Sequence, residues 1–595
     1  MMQTQSDHGR WQGTMRFQWT GIVETWALGA ALVRPLSLVG ALFVILAFAF
    51  SSWACGDSGS RSRPDASLDG AVGQDGTVID DAQPGDASNR PDAWMPPADP
   101  YGPRIFYTDL TSGPQTGGQD GKGAFVSIYG RGFGSSQADS TVTVGGGEVA
   151  GYPIWSDTKV TVQLGPNAQT GDIVVHVSGK TDSNGVAFTV RAGGIFFVST
   201  SGNDGDDGSF AHPWQSLAAA KRQLQPGDIV YPMDGVVQTD SDGPNTSLCI
   251  SKHYGCEAQW GTADAPIAIV AYPGAHVTVG CQESGCPQNG IRIYAPYWTI
   301  AGLFIVGSAE TYAAAASIEK AGSEPPSHGQ RFVANDVTGG YYGITLSIVQ
   351  ECRVLGNHVH DTPHSAIYHG GWGDSSDVEV AWNRVHDLGD EAFGIKAYGH
   401  TENDHLTGLW IHHNVVYNTQ AAAILVGGSD GHVPWVYDAR IENNVVWKTQ
   451  GQWSSGIRIG NSGVDETELD VTIVHNTVVD CTHAVEISAC KTALVQDNLF
   501  VQSGGTYIHA DLGPGDYTFD HNGYFGGDAL PTEDSAPVEG DPLFQDASSH
   551  DYHLQAGSPA IDSGVDAGLN VDMDGILRPQ GDGFDLGAYE FVPPQ

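Results

Sequence analysis

Between Tyr342 and Phe500 one short pattern keeps returning, and it leaves few folds open. Gly343-Ile-Thr-Leu-Ser, Ala366-Ile-Tyr-His-Gly, Gly394-Ile-Lys-Ala-Tyr, Ala423-Ile-Leu-Val-Gly, Gly456-Ile-Arg-Ile-Gly and Ala484-Val-Glu-Ile-Ser each open with a small residue and then an apolar one. A second line runs beside it: Val380-Ala-Trp-Asn383-Arg-Val, Ile411-His-His-Asn414-Val-Val, Ile441-Glu-Asn-Asn444-Val-Val, Ile473-Val-His-Asn476-Thr-Val and Leu494-Val-Gln-Asp-Asn498-Leu. Self-similarity at a period of roughly 20 to 35 residues, made of strands with no amphipathic helices between them, predicts an all-β solenoid with one coil per repeat. Successive side chains on a strand face opposite ways, so Ile395 and Ala397 point to the core while Lys396 and Tyr398 point out. The recurring Asn is expected in a turn, where its amide bonds backbone groups, αL is tolerated, and stacked copies form a ladder.

On these residues the chain resembles the right-handed parallel β-helix proteins, the group that includes pectate lyases. Coils from about 193 to 527 would form that domain. Before it, 103–192 alternates short strands with glycine turns, as in Ala124-Phe-Val-Ser-Ile-Tyr, Lys159-Val-Thr-Val-Gln-Leu and Ile173-Val-Val-His-Val. That reads as a small β-sandwich. Through Ile128-Tyr-Gly-Arg-Gly-Phe-Gly and Thr170-Gly-Asp-Ile-Val-Val-His-Val it resembles the IPT/TIG immunoglobulin-like domains, which implies a spacer or a protein-binding module. The helix-forming stretch Pro213-Trp-Gln-Ser-Leu-Ala-Ala-Ala-Lys-Arg-Gln-Leu is the expected cap of the first coil. Residues 528–595, with Tyr552-His-Leu-Gln-Ala-Gly-Ser-Pro-Ala-Ile-Asp and Phe584-Asp-Leu-Gly-Ala-Tyr-Glu-Phe, resemble the closing segment of exported β-helix proteins and are expected to cap the far end.

The N-terminal 55 residues carry Arg34, an apolar run from Leu36 to Phe50, and Ser51-Ser-Trp-Ala-Cys55. This is an export signal. It resembles a bacterial lipoprotein signal, which implies lipidation of Cys55, a membrane anchor and an outer-membrane or cell-surface location; a plain secretory signal or a single membrane anchor also fits. Residues 56–102, rich in Asp, Ala, Gly, Pro and Ser, bury too little apolar surface to order themselves and are expected to form a disordered tether. A net charge of −43 argues against a nucleic-acid partner. An exported chain permits disulfides, and the close pairs Cys249/Cys256, Cys281/Cys286 and Cys481/Cys490 are the expected bridges, with Cys352 a buried thiol.

Stacked strands lie about 4.8 Å apart, so outward residues at one register form a column. Here it reads Thr345, Tyr368, Lys396, Leu425, Arg458, Glu486. The acidic turn Asp387-Leu-Gly-Asp390-Glu391 feeding the strand with Lys396 resembles that of the calcium-dependent β-helix polysaccharide lyases. The resemblance implies Ca²⁺ held by Asp387, Asp390 and Glu391, Lys396 as base, and elimination from a uronate-containing acidic polysaccharide. Removing a weakly acidic proton beside a carboxylate needs a cation to hold the developing charge and a base of lowered pKa. Arg458 is the candidate to hold a substrate carboxylate and Tyr368 to protonate the leaving oxygen, with Tyr398, Glu486 and Trp372 as candidate substrate contacts. The arginine-histidine-glycine of one such lyase family is missing from Ile424-Leu-Val-Gly-Gly, and the paired aspartates of the β-helix hydrolases do not occur in their motifs. A non-catalytic glycan-binding or adhesion protein, and a glycoside hydrolase on the same fold, therefore remain alternatives; a monomer is expected.

Overall fold

The computed structural model describes residues 101–594 apart from 321, 323–325, 371–372, 390–391, 402–403, 429–434, 450, 452–453, 461–467, 489, 503, 513–514 and 528. The export segment with Cys55 and residues 56–100 of the tether lie outside the described residues. From Ile195 onward the chain winds through three parallel sheets. The first face runs from Ile195–Val198 to Asp516–Asp520, the second from Val237–Gln238 to Val538–Glu539, and the third from Thr246–Ile250 to Thr506–Asp511. Each coil gives one strand to each face in turn, so like positions stack. On the third face Ile344, Ile367, Ile395, Ile424, Ile457 and Val485 pair in register, and all are buried. This is the parallel β-helix that the repeat demanded.

The corner between the first and second faces is where the Asn ladder lies. Asn335, Asn357, Asn383, Asn414, Asn444, Asn476, Asn498 and Asn522 are buried. Asn335 accepts from Leu303 N, and from Asn357 on each side chain accepts from the backbone and amide of the preceding coil's Asn, as when Asn383 N and Nδ2 each donate to Asn414 Oδ1 at 3.0 Å. The left-handed residue is not the Asn but the one before it: Trp382, His413, Asn443, His475 and Asp497 have φ between 51° and 55°. That conformation costs a non-glycine residue about 1–2 kcal/mol. It turns the chain through the corner while freeing the Asn amide for the ladder, and it aims the preceding side chain outward.

Trp382 packs on Phe106 and Tyr107 of the N-terminal sandwich, whereas His413, Asn443 and Asp497 lie beneath the C-terminal segment. Its beginning closes the last coil, since Val538–Glu539 extends the second face. The remainder does not cap the end, as the sequence led us to expect, but runs back along the corner as a strap. His413 Nε2 meets Asp572 O at 3.0 Å, Asn443 Nδ2 donates to Val571 O at 2.9 Å, Ala588 N donates to Thr477 Oγ1 at 2.9 Å and Gly587 N to Asp497 O at 2.8 Å. Arg578 and Glu590 pair at 3.0 Å, both fully buried, and Arg578 also donates to Gly587 O and Asp585 O.

The strap buries other carboxylates. Burial pushes Asp497 and Asp572 up to about 7 and Asp585 up to about 6. An acid whose folded pKa is raised stabilises the fold fully below its unfolded pKa, about 4, and that contribution disappears as pH rises through the folded value. We expect the amides of 565–590 to exchange more slowly at pH 5 than at pH 8 once intrinsic rates are divided out. Equal protection at both would remove these carboxylates from the strap's docking.

Residues 104–190 form a sandwich of a four-stranded and a five-stranded sheet, with Val126, Ile128, Phe133, Val160, Val162, Ile173 and Val175 at its centre. It is not a detached spacer. Its core runs without a break into Phe197, Tyr231, Ala268, Ala301, Val333, Leu355 and Ala381 of the first face. Tyr231 both receives from Phe125 N and donates to Phe125 O, at 2.9 and 2.8 Å, and Arg331 Nη2 donates to Thr108 O at 2.8 Å.

At the N-terminal end the helix Leu217–Gln223, capped by Ser216, buries Leu217 and Ala220 over the first coil. Lys221, wholly buried, pairs with Asp242 at 2.9 Å and donates to Cys249 O at 2.6 Å. Bridges form between Cys249 and Cys256 and between Cys281 and Cys286. The expected Cys481–Cys490 bridge does not form; both are free and buried. The extended strand His483–Ser488 lies between them and spans about 20 Å, far beyond the reach of a disulfide.

Candidate functional site

The register of the third face places Thr345, Tyr368, Lys396, Leu425, Arg458 and Glu486 opposite one another on successive strands without a skipped coil. Lys396 and Arg458 are therefore two strands, about 10 Å, apart along the column. Their surroundings differ. Lys396 Nζ sits over three rings, 4.3 Å from the centre of Tyr398, 4.6 Å from Phe393 and 5.3 Å from Tyr368. Burial pulls its ammonium down to about 8. The ring faces act in the other direction, since each favours a cation by about 0.5–1 kcal/mol at an exposed site. No acid–lysine ion pair involves Lys396 among the described residues. Gly370 and Gly427 stand opposite Tyr398 on the adjoining coils, and the Tyr368 ring lies over Gly370.

Aromatic rings continue upstream of the lysine. Tyr342 stacks on Tyr368 at 5.1 Å, and His364 lies between Tyr341 at 4.5 Å and Tyr342 at 5.1 Å. Burial, and then the Lys396 charge, lower His364 to about 4, so it is neutral at pH 7. The Tyr368 phenol is hydrogen-bonded to His400 Nε2. Burial holds that phenol well above the usual tyrosine range, so it keeps its proton at neutral pH. The loop carrying His400 is fixed by Asp404, which accepts from His400 N at 2.6 Å and Thr401 N at 2.9 Å. His369, inward by the alternation, is only 5% exposed; it is a core residue and no base for substrate.

Downstream the column closes over. Leu425 is 4% and Arg458 8% exposed. Arg458 Nε pairs with Glu486 at 3.4 Å, and Ser455 Oγ donates to the same carboxylate. Thus Tyr368 and Tyr398 join Lys396 in one cluster, whereas Arg458 and Glu486 are joined to each other. Asp387 is turned toward the second face: it holds His386 Nδ1 at 2.8 Å and Asn418 Nδ2 at 2.8 Å. Asp390, Glu391 and Trp372 lie outside the described residues. Of the three expected calcium ligands only Asp387 is among the described residues, one carboxylate toward the six to eight oxygens that calcium takes.

Two family models match this chain. One, described as disaggregatase related, covers residues 375–572, the coils bearing Lys396 and the start of the strap. The other is the IPT/TIG domain over 110–190, within the 103–192 stretch that resembled it. No curated protein matches. Solved structures that do include pectate lyase Pel9A, at 14% identity over 67% of this chain and 96% of that one with a TM-score of 0.41. The GH136 lacto-N-biosidase from Eubacterium ramulus matches at 16% identity over 58% and 66%, TM-score 0.30. The PL6 family alginate lyase AlyGC matches at 13% over 64% and 59%, TM-score 0.36.

The sequence reading missed His364, Phe393, His400 and Asp404 around the lysine. Phe393 had no signal, because it shares the parity of the inward Ile395 and pairs with the buried Ser365 on the strand beside it. His400 and Asp404 had none, because a loop folds back to bring them there. Reading also passed over Asp336, His358 and His360, which gather on the second face.

Proposed function

We propose that this protein is a carbohydrate-active enzyme that cleaves a uronate-containing acidic polysaccharide by β-elimination, with Lys396 as the base. The observation that carries the reading is an outward lysine brought to about 8 by burial within a cluster of aromatic rings. A pKa there leaves about a tenth of the amines free at pH 7, enough to act while still basic. Lys396 Nζ takes the C5 proton of the uronate, the electron pair forms the C4–C5 double bond, and the C4–O bond breaks. The departing oxygen receives the Tyr368 proton, and water restores the tyrosine through His400. Tyr342 and Tyr398 offer ring faces on which sugars stack.

The uronate carboxylate must be neutralised for C5–H to be acidic enough. Two candidates belong to the proposal: Arg458, released from Glu486 by the incoming carboxylate, and Ca²⁺ at the 387–391 turn. Lipidation at Cys55, with the chain held at a membrane surface as a monomer, completes it.

The test is ultraviolet absorbance of unsaturated uronate, using the full-length chain in detergent on a panel of uronate polymers with calcium or chelator. Growth that persists in chelator assigns the cation role to Arg458; growth that needs calcium assigns it to the ion. No growth on any polymer, with tight binding to one, would sink the lyase and leave a glycan-binding protein. Reducing-end release without unsaturation would indicate a glycoside hydrolase.

A further inference from the structure

On the second face two consecutive coils carry nearly the same residues, Asn357-His-Val-His-Asp361 and Asn383-Arg-Val-His-Asp387. Asp336 stands opposite His358, and His360 opposite His386, so four outward side chains converge. His360 Nδ1 lies 2.7 Å from Asp361 Oδ2, and His386 Nδ1 lies 2.8 Å from Asp387 Oδ2. His358 Nε2 is 2.6 Å from His386 Nε2. The two oxygens of Asp336 lie 3.2 Å from His358 Nδ1 and 3.0 Å from His360 Nε2.

The protons of neutral rings can be placed from these partners. A carboxylate only accepts, so His386 donates Nδ1–H to Asp387; His360 faces a carboxylate at each nitrogen, and a neutral ring, able to serve only one, donates Nδ1–H to the nearer Asp361, so each ring keeps a lone pair on Nε2. His386 Nε2 then accepts the Nε2–H of His358, which leaves the His358 lone pair on Nδ1. Both remaining lone pairs, His358 Nδ1 and His360 Nε2, face the oxygens of Asp336. Acceptor faces acceptor at hydrogen-bond distance, twice. Something positive belongs among them.

We propose that Asp336, His358 and His360 form a binding site for a divalent transition-metal cation of the zinc type. Their ligand atoms all lie within 4.8 Å of one another. Ligands held about 2.0–2.1 Å from a tetrahedral ion are about 3.3 Å apart, so small rotations of the rings complete the site. Two imidazoles and a carboxylate suit zinc or its first-row neighbours, whereas calcium and magnesium take oxygen. Asp361 orients one ligand ring directly. Asp387 orients the other through His386, and Asn418 Nδ2 steadies Asp387 from behind at 2.8 Å; such outer partners fix tautomer and ring direction in metal sites. The ligand side chains are partly exposed, 38% for His358, 19% for His360 and 44% for Asp336, which leaves a fourth position open to solvent. His386 also begins a row of stacked rings, 4.7 Å from Tyr417, which lies 4.4 Å from Trp447, so the metal borders an aromatic surface. The site is on a different face from Lys396; its three ligands do not enter the lyase reading, which shares with it only Asp387 of the 387–391 turn.

The experiment is calorimetric titration of Zn²⁺ into the full-length chain, made without a histidine tag, stripped with chelator and held in detergent. Co²⁺ absorption bands in the visible give a second readout. The expected result is one tight equivalent, weakened at least about 100-fold in His360→Ala and in the near-isosteric Asp336→Asn. Asp361→Asn should weaken it about 10-fold to 100-fold. Thermal unfolding without metal checks that each variant folds. Absence of a tight equivalent, or affinity unchanged in both ligand variants, would overturn the site and leave a cluster that takes up protons instead.

Discussion

Lys396→Ala should lower kcat on the cleaved polymer by about 10³-fold or more, because a positioned base contributes about 10²–10⁴-fold and alanine leaves no group to accept the proton. The sign of the pH dependence follows from the burial that lowers the lysine to about 8. Only the free amine is a base, so log kcat/KM should climb with unit slope below pH 8 and level off above it. Lys396→Arg keeps the charge but not the titration, and should be as inactive as alanine. Tyr368→Phe should retain the pH rise while losing about 10–100-fold in kcat, since the phenol donates to the leaving oxygen. A profile flat from pH 6 to 9, or an active Lys396→Ala, would return this lysine to an ordinary side chain.

The second large effect is one of stability. Asn444 is fully buried. Its Nδ2 donates to Ile411 O at 2.9 Å and Asn476 Oδ1 at 3.0 Å, while its Oδ1 accepts from Asn414 N and Nδ2, both at 3.0 Å. Asn444→Ala strands several of these groups at once, each worth about 1–3 kcal/mol when left buried and unpaired. A loss of about 3–6 kcal/mol is expected, a large share of the roughly 5–15 kcal/mol of a folded domain. It should be read from denaturant unfolding of the full-length chain, with Asn444→Asp, which sets a buried carboxylate against the Ile411 and Asn476 oxygens, costing at least as much. A cost under about 1 kcal/mol would show that the ladder rungs relax and re-pair.

Much of this was readable before any coordinates, because period-two alternation and a fixed repeat are local facts. Ile395 inward, Lys396 outward and the column from Thr345 to Glu486 follow from counting, and the stacked strands keep that count. The Asn line announced its ladder for the same reason, although which residue turns the corner depends on backbone geometry that spacing does not encode. What could not be read was long-range. The strap crosses coils because His413, Asn443 and Asp497 present polar groups that need partners, and nothing in residues 541–591 names the side on which they lie. The pairing of Arg458 with Glu486 was hidden too: adjacency in the column suggested two ligands for a substrate, while opposite charges one strand apart satisfy each other. Cys481 and Cys490 misled because nearness in sequence is no guide when the residues between them are extended. The histidines of the second face were visible as a repeated His-Asp pair, but only the coil-to-coil register shows that Asp336 completes them.

Arg131 of the sandwich donates to Asp574 O at 2.6 Å, joining positions 443 residues apart. The N-terminal module thus waits for almost the last residues of the chain before its own surface is finished. Synthesis proceeds from the other end, so every coil has already been made when this clasp shuts. A chain that loses its final segment would keep its repeats yet leave the corner polar groups and the module's flank uncovered, a ready mark for quality-control proteases.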